Sequence, residues 1–353
     1  MRFAYALDTH FGVFDQEVPS PHDVAKAWDQ LLAEAELAEE VGFDGIFIAE
    51  RHGRTETFVP NTLQVATAVA ARTTRIKIAT AVMMPPLHNP MELAEQVAMV
   101  DNLSKGRFTF GVGVGYHSGY HDTFGIPFAR RGKRFEEAMG VMKLAFTEDR
   151  FSFHGEFFDY ENVQLTPKTY QRPHPPIWIG SHTRGKPADR ALDNDGWVVW
   201  TQPEWTENAA WIAEMRQRAA ERGKKGWQVV LNQDGWLGDN AAEVRERHSV
   251  RWLREARFYE EHDFPGEIDP RGDIDQAAGF EAALQDFETR QMHFGTAETW
   301  TERIASVRDI LNPDWLSIRL RTPNAGYGPA YPTGEEFLEC IRRFGVDVIR
   351  KFQ

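Results

Sequence analysis

Two periodicities alternate along the chain. Short apolar runs at 3–7, 43–49, 76–82, 107–115, 177–179, 196–200, 227–231 and 315–320 have the length and side-chain content of strands. Between them, hydrophobic side chains return every three or four residues. Val24, Trp28, Leu31, Ala35 and Ala38 form one such series, and Leu93, Val97 and Val100 another. Trp300, Ile304, Val307 and Leu311 make a third, and Phe337, Ile341, Phe344 and Val348 a fourth. Further helices are expected over 61–72, 131–147 and 186–192, and in a long stretch ending near 222. The helix ends are punctuated. Ser20-Pro21-His22-Asp23 offers a cap, a proline at the first helical position and an early acid, while Gly42 ends the helix. Thr296 is a second cap, and Thr333-Gly334-Glu335-Glu336 reads as a capping box.

Two stretches break the rhythm. Residues 150–167 read as a two-stranded excursion turning near His154-Gly155, and 239–290 as a charged, acidic, mainly helical insertion without a strand. What remains is eight strands, each followed by a helix. That pattern predicts an α/β fold, a TIM (β/α)8 barrel forming one domain over 1–353, with the insertion after strand seven. The segment 75–125 is the plainest unit: strand, helix, strand, with polar residues just past each strand's carboxyl end. In parallel barrels that end faces the ligand.

Composition narrows the partners. A net charge of −13 with no basic patch argues against nucleic acid and anionic membrane surfaces. One cysteine, Cys340, precludes an internal disulfide and points to a reducing, cytoplasmic setting; in a helical pattern it reads as a small buried hydrophobe. The start, MRFAYALDTHFG, lacks the pattern of a signal peptide, and no apolar run is long enough to span a bilayer.

Candidate chemistry collects after the strands. Glu50-Arg51-His52 follows strand two, His88 lies on the loop after strand three, and 116–122 follows strand four. Gly180-Ser181-His182-Thr183 follows strand five and precedes a helix, where amides and hydroxyls suit an anion; Arg184 and Lys186 add positive charge. Trp197 and Trp200 flank strand six, and alternation sends them to different surroundings. The glycines at 111, 113 and 115 do not complete a dinucleotide motif. The third glycine would fall at 116 or 118, which are Tyr116 and Ser118, and no helix is expected before about Arg131. Glycines there permit close approach, either by another chain segment or by a flat ligand. No metal site is expected: there is no HExxH and no HxH pair, and His117 and His121 read as loop residues.

The stretch SKGRFTFGVGVG, followed by FG and by Arg131 and Arg134, resembles the bacterial-luciferase-like flavin monooxygenases. PKTYQRPHPPIWIGS resembles the same family's approach to its flavin phosphate. The resemblance implies a two-component enzyme in which a separate reductase supplies reduced FMN, and O2 then oxygenates a small organic substrate. A homodimer is expected with it. It places His52 near the reactive face of the flavin with Glu50 orienting it, and puts Arg51 where the family has another histidine; His88 is a further candidate. It sets a non-proline cis peptide at Ala81-Val82 beneath the ring and Gly115 and Tyr116 over the mouth. Gly180, Ser181, His182 and Thr183 fall at the phosphate, and Trp200 at the border of flavin or substrate. The family's phosphate arginine near Val114 is missing, with Arg131 as a substitute. A deazaflavin- or flavin-dependent dehydrogenase or reductase on the same barrel, and a non-catalytic flavin-binding barrel, are the alternatives.

Overall fold

The computed structural model describes residues 1–13, 16–199, 205–263, 280–324 and 330–353, without the side chains of 256–263 and 280. Trp200 lies outside the described residues. The strands are β1 (Arg2–Ala6), β2 (Gly45–Ile48), β3 (Lys77–Thr80), β4 (Phe108–Val112), β5 (Phe151–His154), β6 (Asp159–Val163), β7 (Ile177–Gly180), β8 (Gly196–Val198), β9 (Gln228–Leu237), β10 (Met292–Gly295) and β11 (Trp315–Arg319). The helices are α1 (Pro21–Val41), α2 (Thr62–Arg72), α3 (Pro90–Leu103), α4 (Ser118–Thr123), α5 (Arg131–Thr147), α6 (Lys186–Leu192), α7 (Trp205–Glu221), α8 (Ala241–Asp263), α9 (Phe280–Arg290), α10 (Ala297–Leu311) and α11 (Gly334–Arg343). None of the described helices is long and apolar enough to cross a membrane.

Eight strands close a parallel barrel in the order β1-β2-β3-β4-β7-β8-β9-β11, with β11 returning to β1. β5 and β6 pair antiparallel as a separate ribbon. The sequence pattern holds at most boundaries because the caps are local. The Ser20 hydroxyl accepts from the Asp23 amide, Gly42 takes φ +105° after α1, and Thr296 and Thr333 both close capping boxes.

Three elements differ from the expectation. β9 runs ten residues instead of five, because it pairs first with β8, then with β11 and finally with β10. β10 was not foreseen. Its MHFG segment is too short for alternation to show and depends on the far half of β9 for partners. α4 is a six-residue helix in the loop where none was expected before Arg131, and it is anchored through the buried Tyr120 and His121.

Alternation divides the strand residues between two cores. Outward-facing Ile46, Ile48, Ile78, Phe110, Ile179, Trp197, Leu231 and Ile318 pack under the helices. Inward-facing Ala4, Phe47, Ala79, Trp178, Val230 and Trp315 fill the lumen, with Ala81 and Val198 packed on them. The rings of Phe47, Trp178 and Trp315 lie 5.3–6.0 Å apart and plug the barrel, so a ligand meets only its mouth. Cys340 is buried in α11, where burial pushes its thiol up to about 12, so it is no nucleophile at neutral pH.

The Ala81-Val82 peptide is cis, as the resemblance implied. The glycines beside it answer to the chain itself. A Cβ at Gly111 would sit 1.9 Å from the Thr80 carbonyl oxygen, and one at Gly113 or Gly180 would press on the Val82 methyls at about 3 Å. Close chain approach, one of the two readings the sequence left open, is met at 111 and 113.

Candidate active site at the barrel mouth

Glu50 is the hub of the first cluster. It follows β2, is buried, and accepts from the Met84 amide at 2.5 Å through Oε2. Its Oε1 lies 3.0 Å from His52 Nε2 and 2.7 Å from His88 Nε2. Burial works to raise the Glu50 pKa, but the bonds from His52 and His88 outweigh it and hold the carboxyl at about 2. An ionised carboxylate only accepts, so both imidazoles carry their proton on Nε2 and leave Nδ1 as the basic atom. His52 packs edge-on against Phe124 and Tyr120, with ring centroids 4.8 and 6.3 Å away. Glu50, His52 and His88 are also a trio whose ligand atoms lie within 4.8 Å of one another. Their 2.7 and 3.0 Å contacts suit hydrogen bonds. A tetrahedral metal at ~2.1 Å from each would hold the donors roughly 3.4 Å apart.

The lumen-facing register continues upward from the plug and ends in two different halves. On β3, β4, β7 and β8 it brings Ala81, Gly113, Gly180 and Val198 to the mouth, a floor of small side chains. On β9, β11, β1 and β2 it brings Asp234, Arg319, Asp8 and Arg51, each four residues beyond a plug residue. In strand order their charges alternate. Arg319 lies 2.9 Å from Asp234 and 3.7 Å from Asp8, and Arg51 donates to Asp8 at 3.0 Å. His10 Nδ1 adds a 2.8 Å contact to Asp8. Burial tends to raise the Asp8 pKa, yet Arg51 and His10 bring it well below the usual carboxylate range. Burial raises Asp234, against the pull of Arg319. α8 closes over this half: Glu255 lies 3.4 Å from Arg54 and 3.6 Å from Arg319, and Trp252 lies against the Arg319 guanidinium.

The other expected residues are spread around the rim. Gly180, Ser181, His182 and Thr183 form the turn between β7 and α6, tied by Ser181 N–H to the Val198 carbonyl and by Trp197 Nε1–H to the Ser181 carbonyl. Trp197 packs under the helices, leaving that turn half-exposed. Gly115 takes φ +82° and carries the carbonyl to which Arg131 donates at 2.9 Å. Tyr116 lies half-buried near Tyr120, on which the His117 ring stacks at 4.5 Å. His121 is buried beside Phe128, and burial lowers its pKa. Sequence reasoning found the Glu50 cluster but missed Asp8, His10, Asp234, Glu255 and Arg319. A usable signal was the polar DTH directly after β1, since an abrupt charge at the end of an apolar strand marks the mouth.

A plugged parallel barrel whose carboxyl-end mouth joins a small-residue floor to buried acid–histidine and acid–arginine groups defines a TIM-barrel enzyme site. The chain belongs to the luciferase-like monooxygenase family, whose model matches residues 9–311. It is 30% identical over 299 residues to the uncharacterised protein y4vJ of Sinorhizobium fredii, covering 82% of this chain and 83% of that one. It is 29% identical over 194 residues to an FMNH2-dependent dimethylsulfone monooxygenase of Pseudomonas putida, covering 54% and 53%. The chain thus spans about half the length of some of the curated relatives it matches. Among solved structures, the monooxygenase RslO1 of Streptomyces bottropensis superposes with a TM-score of 0.82 at 21% identity over the whole of both chains. An F420-dependent secondary alcohol dehydrogenase superposes at 0.70 with 16% identity, over 99% of this chain and 97% of that one.

Proposed function

We propose that the protein is the oxygenase of a two-component, FMN-dependent monooxygenase acting on a small organic substrate. The observation that carries this reading is the flat floor of Ala81, Gly113, Gly180 and Val198 directly beside the Glu50–His52–His88 cluster. A planar ring system fits over such a floor, on which the Val82 methyls pack between Gly113 and Gly180. When bound, reduced FMN would supply the two electrons that activate dioxygen, one atom of which would pass to the substrate and the other to water. The chain's part is to position, to hold protons and to keep water out. His52 and His88, fixed by Glu50, present Nδ1 as a proton acceptor or, once protonated, a donor. The Gly180–Thr183 turn holds the phosphate, Gly115 and Tyr116 border the ring, and α8 forms a wall. A separate reductase delivers the reduced flavin, and the oxygenase works as a homodimer in the cytoplasm.

The test is to mix the protein with photoreduced FMN without oxygen, then admit oxygen and follow flavin reoxidation and hydrogen peroxide. Tight binding and a peroxide release slower than from free flavin are expected. The F420-dependent neighbour motivates one rival, a hydride-transferring dehydrogenase on the same barrel. In that case bound FMN would reoxidise as it does free, and only a deazaflavin would exchange electrons with an alcohol or carbonyl substrate.

The phosphate assignment is tested separately. Ser181→Asp places a carboxylate against the dianion and should weaken FMN binding on the order of tenfold or more. Riboflavin, which lacks the phosphate, should bind nearly as before. Fluorescence titration of both ligands decides, and equal losses would move the phosphate elsewhere.

A further inference from the structure

The two halves of the mouth meet at particular residues. In the charged half, Arg319 and Asp8 each have an oppositely charged ring neighbour on both sides. Asp234 and Arg51 are the ends in strand order, and Arg51 is the one on a strand paired with the small-residue floor. Arg51 extends β2, the strand paired with β3 through Ile48 and Thr80, and Ala81 follows directly. Asp234 lies in β9 four residues past Val230, the last partner of β8, and at Asp234 that edge of β9 pairs with Met292 of β10. A flat ring resting on the floor therefore has a guanidinium beside its β3 edge.

We propose that Arg51 is the cation that faces the edge of the bound flavin and favours its anionic reduced form. Asp8 acts as the positioning residue that holds the guanidinium at the mouth. The inference rests on the flavin reading above. An arginine is charged at every working pH, and a fixed positive charge in a dry site favours whichever ligand form carries a negative one. Arg51 faces two carboxylates, Asp8 and, farther off, Glu255, and neither is its partner alone. The Asp8 carboxylate is shared among Arg51 at 3.0 Å, His10 at 2.8 Å and Arg319 at 3.7 Å. Arg51 is also buried, with its side chain 6% exposed, so its charge acts through a surround of low dielectric and little through water. A purely structural alternative is that the ring only clasps α8 to the barrel through Glu255. The two differ in one respect: a clasp does not distinguish the redox states of a ligand.

The experiment is anaerobic titration of the full-length protein with oxidised and with photoreduced FMN, reading the ratio of the two dissociation constants. Arg51→Gln should shift that ratio against the reduced form on the order of tenfold or more. Arg51→Lys, which keeps the charge, should stay within about threefold of the wild type. Arg319→Gln, which breaks the same ring one strand farther from the floor, should shift the ratio less than Arg51→Gln does. If Arg51→Gln fails to fold because Asp8 is left unpaired, the double variant Arg51→Gln/Asp8→Asn removes both charges and should shift the ratio in the same direction by a smaller factor. An unchanged ratio in a folded charge-free variant, or an equal shift in Arg319→Gln, overturns the proposal. Wild-type protein that binds neither form of FMN overturns the flavin reading first, and this inference with it.

Discussion

Glu50→Gln is expected to abolish most activity while leaving the barrel folded. The carboxylate takes three hydrogen bonds, from the Met84 amide and from Nε2 of both His52 and His88. A glutamine can satisfy the same three partners in only one way. Its oxygen accepts from Met84, and its NH2 donates to both imidazoles, which must then move their protons to Nδ1. The basic atom facing the site becomes a donor. A tautomer reversal of this kind leaves geometry intact and costs on the order of 10²–10⁴ in rate. Imidazole 15N chemical shifts should report Nε2–H in the wild type and Nδ1–H in the variant. Product and peroxide yield per reduced flavin should show the loss of coupling. From sequence alone, Glu50→Gln would be milder than His52→Ala; because one carboxylate serves both histidines, the order reverses. Stability follows the same group. The Glu50 pKa is depressed from 4.5 to about 2, so its contribution is complete above 4.5 and is lost as pH falls through about 2. The shift corresponds to about 3 kcal/mol, so wild-type stability should fall more steeply with acid than that of the variant. Unchanged tautomers with lost activity would remove this explanation.

Asp8→Asn is expected to cost more stability than any exposed charge change. Asp8 is buried and pairs with Arg51, with His10 and Arg319 close by. Removing its charge leaves a guanidinium in a dry site, a loss of about 3–5 kcal/mol in comparable cases. The exposed pair Arg72–Glu36 provides the contrast, and its loss should cost under about 1 kcal/mol. Because the folded-state pKa of Asp8 is depressed, the difference from Asp8→Asn is fullest at neutral pH and shrinks on acidification. Urea denaturation of both variants at two pH values measures this. A loss near that of the surface pair would mean that the ring is well hydrated and contributes little.

Most of the barrel was legible because its information is local. Strand runs, helix faces and caps such as Ser20, Thr296 and Thr333 act within a few residues of chain, and the physics that reads them needs no partner. β10 and α4 were not legible, since each is too short to carry a period and exists only against β9 or under the loop after β3. The site divides in the same way. Glu50, His52 and His88 lie within one βαβ neighbourhood, and Glu50 and His52 follow a strand end, so their polarity after apolar runs could be noticed. Residues 8, 51, 234 and 319 are far apart in sequence; Asp8 and Arg51 follow strand ends, but nothing in the chain order shows that they meet each other or Asp234 and Arg319. Their juxtaposition requires the sheet to close with β11 against β1 and β9 against both β8 and β11. Only that closure sets the register that aims four separate side chains at one mouth. The sequence by itself determined the elements, the caps and the polar strand ends. The tertiary structure decided which charges meet, because pairing across a closed barrel depends on stagger between strands that no single segment encodes.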